Sequence, residues 1–206
     1  MEKNFTEQDS LMLINEMITQ ARDNIQKGAA DSMVFSGYCV AFTAVLNFIL
    51  LQVLNPSYLA FWVWLLMIPM SIGCFILNKR TDKKAIVKTH VDKIVSNIWF
   101  AFFISVICLL TVVFGFALST GLWVLTILIT PFIMIMMGAA QYVTSVTSRY
   151  KPFRTGAYVF WLGGVLCMVY PSFTNLQLQF IILAVCMIFG FVVPGHILNR
   201  KAKEHV

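Results

Sequence analysis

The chain has 206 residues, 59% of them hydrophobic and only 12% charged, with a mean hydropathy of +0.82 and a formal net charge of +6. Soluble domains run at about 45–50% apolar and about 25% charged, so a soluble core cannot absorb this much apolar side chain. The charges are also segregated: Asp, Glu, Lys and Arg are missing from 32–78, 94–148 and 155–199, windows of 47, 55 and 45 residues.

One membrane helix takes about 20 residues, so each window accommodates two spans joined by a short turn. The predicted fold is therefore an all-α integral membrane protein with six transmembrane helices arranged as three hairpins. The spans are expected near 33–54, 58–77, 97–118, 122–146, 156–172 and 177–198. Around them the chain divides into a cytoplasmic amphipathic helix at 1–32, a six-helix domain at 33–198 and a basic tail at 199–206.

In chain order, "FTEQDSLMLINEMITQARDNIQKG" (5–28) predicts an amphipathic helix, with Leu11, Ile14, Ile18, Ala21 and Ile25 recurring at steps of three and four. Thr6 with Asp9 three residues on suits its start, and Gly28 suits the residue after a C-cap. Residues 1–32 carry six acids against three bases, the reverse of helices that lie on lipid. The stripe Leu11, Ile14, Ile18 and Ile25 is accordingly an expected interaction face for protein.

Span one carries Asn47 near mid-bilayer and span two carries Pro69. Between spans two and three, "NKRTDKKAIVKTHVDKIVSN" (78–97) has six bases against two acids and reads as a basic helical loop, with Thr81 as N-cap and Val87, Val91, Ile94 and Ile98 on one face. Its charge complements the N-terminal helix, which predicts docking between the two, within a subunit or between subunits.

Span three has Ser105 and Thr111, and Gly115 with Ser119 at helix-contact spacing. Span four contributes Thr126, Thr130, Pro131, Gln141 and a methionine run (Met134, Met136, Met137) read as packed or lipid-facing. Span five contains Gly163–Gly164, and span six ends in Pro194, Gly195 and His196, read as a membrane exit that breaks or bends the helix.

Two readings apply to the polar residues Asn47, Thr126, Thr130 and Gln141. The ordinary one is an interhelical hydrogen bond for each; the alternative is that they line a cavity for a small neutral solute. Pro69, Pro131, Pro194 and Gly195 are candidate hinges, because proline frees a backbone carbonyl in a membrane helix. The same proline position recurs in all three hairpins, and "SGY" (36–38) with "GCFILNKR" (73–80) is echoed by "TGAY" (155–158) with "GHILNRK" (195–201), which indicates a hairpin pseudo-repeat.

No HExxH, phosphate loop, nucleophile elbow or carboxylate pair on a span is found, so no catalytic residue is assigned and the chain is read as non-enzymatic. The five cysteines all fall within spans without CxxC spacing, and the three histidines lack the spacing of a metal site. No metal and no cofactor are implied.

All fifteen bases fall in the N-terminal segment, 79–93, 149–154 and the tail. Lys and Arg mark cytoplasmic segments, so both termini are expected in the cytoplasm. Topogenesis accounts for these basic clusters, and nucleic acid is not an expected partner. Tyr58, Trp62, Trp64, Trp123 and Tyr170 would line the outer side, and Tyr38, Trp99, Tyr142, Tyr150 and Tyr158 the inner one. The polar first thirty residues show no cleavable signal peptide.

The stretches "SLMLINEMITQARDNIQKGAADSMVFSGYCVAF" (10–42), "VKTHVDKIVSNIW" (87–99) and "PGHIL" (194–198) resemble a family of small multi-span membrane proteins of Bacteroidetes, over nearly the whole chain. The resemblance implies a multi-pass protein of a bacterial inner membrane and supplies no site residue. The expected function is an assembly or regulatory module that presents the N-terminal helix and the basic loop to a cytoplasmic protein or to a second copy of the chain, with the lipid bilayer as its other partner. The alternative is a facilitator or channel for a small neutral solute.

Overall fold

The computed structural model describes residues 7–54, 57–82, 90–169 and 177–204. Six helical stretches are long and apolar enough to cross a membrane: Ala30–Val53, Leu59–Ile76, Lys93–Thr120, Trp123–Ser148, Lys151–Val169 and Leu178–Arg200. Each falls within a few residues of its expected place, and the chain is an all-α protein of the multi-pass membrane type.

The first element, α1 (Glu7–Val53), is a single helix of 47 residues, about 70 Å long at 1.5 Å per residue. The end expected at Gly28 does not occur. Glycine inside a helix costs only about 1 kcal/mol against alanine, and Gln26, Lys27, Ala29 and Ala30 on either side are good helix formers. Residues 7–29 thus extend span one by about 35 Å beyond the membrane stretch.

The segment after span two also differs from expectation. Thr81 lies inside the last turn of α2 (Met67–Asp82), and α3 (His90–Thr120) starts nine residues later. Val87 lies outside the described residues, while Val91 and Ile94 are exposed on α3. Among the described residues α1 packs on spans two and six and not on α3. Residues 83–89 of the basic loop and the side chains of the N-terminal stripe lie outside the described ones, and so does the docking expected between them.

Spans two and four open with tighter 3-10 segments, Ser57–Leu66 and Trp123–Leu128, before α2 and α4 (Ile129–Ser148). A two-residue turn leads to α5 (Lys151–Val169). Arg149 takes a left-handed conformation there (φ 55°), and the Tyr150 N–H closes the end of α4 on the Ser145 carbonyl at 3.2 Å. Span six consists of α6 (Leu178–Met187), a π segment at Ile188–Val192 and α7 (Val193–Glu204).

Across the bundle the neighbours run two, one, six, five, four, three. Span six is the most enclosed, with 56% of its apolar window buried, against 11% for each of the end spans two and three. The core joins Ala41 and Ala44 of α1, Met134 of α4, Phe160 of α5 and Phe180, Leu183 and Phe191 of span six. Small side chains on α1 let span six approach closely, which is how helices associate where lipid and side chain are equally apolar.

Candidate functional site

Spans two, four and six each carry one interior proline. Proline lacks an N–H, and its ring crowds the carbonyl four residues earlier. For Pro69, Pro131 and Pro194 those carbonyls belong to Leu65, Ile127 and Gly190, and each lies in the 3-10 or π segment that precedes the α-helix. A 3-10 turn passes such a carbonyl to a donor three residues on. In span six the coil widens instead, and the Val193 N–H reaches the Ile188 carbonyl five residues back.

The hinge candidates therefore mark changes of helical register. Pro194 and Gly195 do not end span six: both are buried, and α7 continues to Glu204. A widened turn ahead of the proline removes its steric conflict, so the helix passes through.

Gln141 meets the carbonyl that lies four residues before Pro194. Its fully buried side chain donates from Nε2 to the Gly190 carbonyl at 2.6 Å, across from α4 to the π segment. Gly156 of α5 closes the same point, where a Cβ would strike both the Gly190 carbonyl and the Gln141 amide. Gln141 Oε1 is buried without a hydrogen-bond partner among the described residues.

Other spans converge there. A Cβ at Gly37 of α1 would lie 2.7 Å from Val192, and one at Gly195 would lie 2.5 Å from Val34. Trp99 of α3 and Phe160 of α5 each meet the Phe191 ring edge-on at 5.5 Å between centroids. Spans one, three, four and five thus all touch the π segment or its flanks. The glycines of the echoed motifs "SGY" and "TGAY" sit on two sides of this one segment.

Toward the end of span six, Tyr150 donates its phenol hydroxyl to the Pro194 carbonyl at 3.3 Å, and Tyr38 Oη lies 3.2 Å from His196 Nε2 with the rings edge to face. Burial pushes the Tyr150 phenol above its ordinary value, so the hydroxyl remains protonated and able to donate through neutral pH. Asn199 Nδ2 donates to Asp31 at 2.7 Å, tying α7 to α1 just where α1 leaves the membrane stretch.

Asn47 is fully buried and, with its amide oriented to suit both neighbours, donates to the Ala60 carbonyl at 2.9 Å and accepts from Trp64 Nε1 at 3.3 Å. It joins span one to the 3-10 segment of span two, and Trp64, expected as an interfacial residue, is its partner. Thr126 donates to the Trp123 carbonyl at 2.7 Å within its own segment. Thr130 stands near the start of α4, half-buried.

The structure does not bring these four polar residues together. Asn47 serves spans one and two, Gln141 serves spans four and six, and the two threonines lie at the other end of span four from Gln141. Two described clefts run between α3 and α4. One, of about 180 Å³, is lined by apolar residues such as Leu109, Phe116 and Phe132; the other, of about 330 Å³, includes Ser105 and Met136. None of the four polar candidates lines either.

Gly115 has open space where a Cβ would point, so the contact expected from its spacing with Ser119 is not made. Ser105 and Thr111 turn back to carbonyls of their own helix at 2.8 and 2.9 Å. Met134 is fully buried in the core, and Met136 and Met137 are partly so. The cysteines are free thiols, and no cluster of metal-binding side chains occurs among the described residues. The side chains of Leu11, Ile14, Ile18 and Ile25 lie outside the described ones; their backbone is helical within α1.

One cluster was not foreseen. Arg154 lies over the Tyr142 ring at 5.7 Å, and Tyr142, Tyr158 and Trp161 stand 5.6–6.3 Å apart. The sequence signal was the run Arg154, Tyr158, Trp161 at helical spacing on α5. No family model, curated protein or solved structure matches this chain.

Proposed function

We propose that this chain is a non-enzymatic inner-membrane protein, both termini cytoplasmic, that presents its N-terminal helix to a cytoplasmic partner or to a second copy of itself. The observation that carries this reading is the continuity of α1: the acidic, amphipathic 7–29 stretch is the same helix as span one. A partner held on the arm would act on a helix already packed against spans two and six. The confinement of all fifteen bases to one set of segments supports the orientation, and the resemblance to Bacteroidetes proteins supports the bacterial inner membrane.

A neutral-solute facilitator draws less support, since Asn47 and Gln141 are engaged in separate interhelical hydrogen bonds. The test compares affinity captures from native membranes using the full chain, a chain lacking residues 1–29, and an Ile14→Asp, Ile18→Asp variant. Loss of the same protein, or of self-association, from both altered chains is expected. An unchanged set of captured proteins and an unchanged oligomeric state would overturn the proposal.

A further inference from the structure

At the α4–α5 turn, Arg149, Lys151 and Arg154 stand exposed within six residues. No Asp or Glu occurs between Asp92 and Glu204, and among the described residues no carboxylate pairs with any of the three. Positive charge at a membrane face is ordinary; what sits below this cluster is more specific.

Lys151, Arg154, Tyr158, Trp161 and Val165 follow one another at steps of three and four, and Leu162 lies four residues beyond Tyr158, so they share a face of α5. The order is cationic at the turn, aromatic next, and apolar further into the membrane stretch, where Leu162 is 65% and Val165 55% exposed. The upper part is held in place. Trp161 lies against Gly138 and donates from Nε1 to the Ile135 carbonyl at 3.1 Å, and Tyr142 lies under the Arg154 guanidinium at 5.7 Å. Stacking on an aromatic face presets a guanidinium and leaves its N–H fork available to phosphate oxygens.

We infer that this face is a binding seat for an anionic phospholipid, its phosphate met by Arg154 with Arg149 and Lys151, and its glycerol and upper acyl chain laid along Tyr158, Trp161 and Leu162. The gradient from charge to aromatic to apolar matches a single lipid lengthwise. An acidic soluble peptide would use only the cationic end, which is why the lipid is the favoured occupant. The seat is independent of the N-terminal arm and of which side of the membrane the turn faces.

Native mass spectrometry of the purified full chain, with phosphatidylglycerol and phosphatidylcholine of equal acyl composition, tests it. Retention of phosphatidylglycerol in preference is expected. Arg154→Gln is expected to weaken that preference about five-fold, the size set by one basic residue near an anionic surface. Tyr158→Leu keeps every charge and should weaken it as well, whereas Lys79→Gln with Arg80→Gln removes two cations elsewhere and should leave it intact. Equal retention of both lipids would overturn the inference, as would an equal loss in the Lys79, Arg80 control. Displacement of the lipid by millimolar glycerol phosphate would also overturn it, since it would mark a site for free phosphate.

Discussion

Pro194 withdraws an N–H from span six, and the residue that meets the carbonyl four before it is 53 positions earlier in the chain. Gln141 supplies its amide to the Gly190 carbonyl, and Gly156 leaves the room for it. Replacing Gln141→Leu leaves that carbonyl buried without its donor, an expected loss of about 1–2 kcal/mol measurable as reduced unfolding stability in detergent. In a Pro194→Ala background the loss should shrink, because alanine restores an N–H four residues beyond Gly190. Equal losses in both backgrounds would show that the amide has another role. Asn47 and Gln141 were legible as buried polar groups in need of partners. Their partners were not, since the Gly190 and Ala60 carbonyls have no identity in sequence and Trp64 carried the signal of an interfacial residue. Gly190 could have been found by counting four residues back from Pro194, a count that also picks out Leu65 and Ile127.

For the elements, hydropathy located all six spans, whereas local signals misplaced some of their ends. Gly28 had the residue type of a C-cap, yet α1 runs through it, because one glycine is a small penalty inside a long run of good helix formers. Gly28→Ala is therefore expected to raise stability by up to about 1 kcal/mol in thermal unfolding; at a left-handed cap the same change would lower it. Thr81 was similarly read as a start and lies in the last turn of α2. Gly115 shows the limit of spacing: residues four apart share a face, but spacing does not say what that face meets, and here it meets open space.

For the whole molecule, the neighbour order places the first hairpin against the third, while the middle hairpin attaches mainly through α4 to α5. Spans separated by most of the chain thus hold the bundle together. Co-expressed fragments 1–85 and 86–206 should accordingly copurify through the α1 contact with span six, and Gly37→Leu, which drives a side chain into Val192, should abolish copurification. Association unaffected by Gly37→Leu would refute this packing. Composition and the spacing of charges by themselves determined the class, the number of spans and their approximate limits, because excluding charge from hydrocarbon is a constraint on each residue separately. Tertiary structure alone decided that span six is central, that its π segment is the meeting point of four other spans, and that the polar candidates are kept apart. In lipid every apolar face is equally well solvated, so neighbours are selected by the shape of small residues and by single hydrogen bonds between positions far apart in the chain.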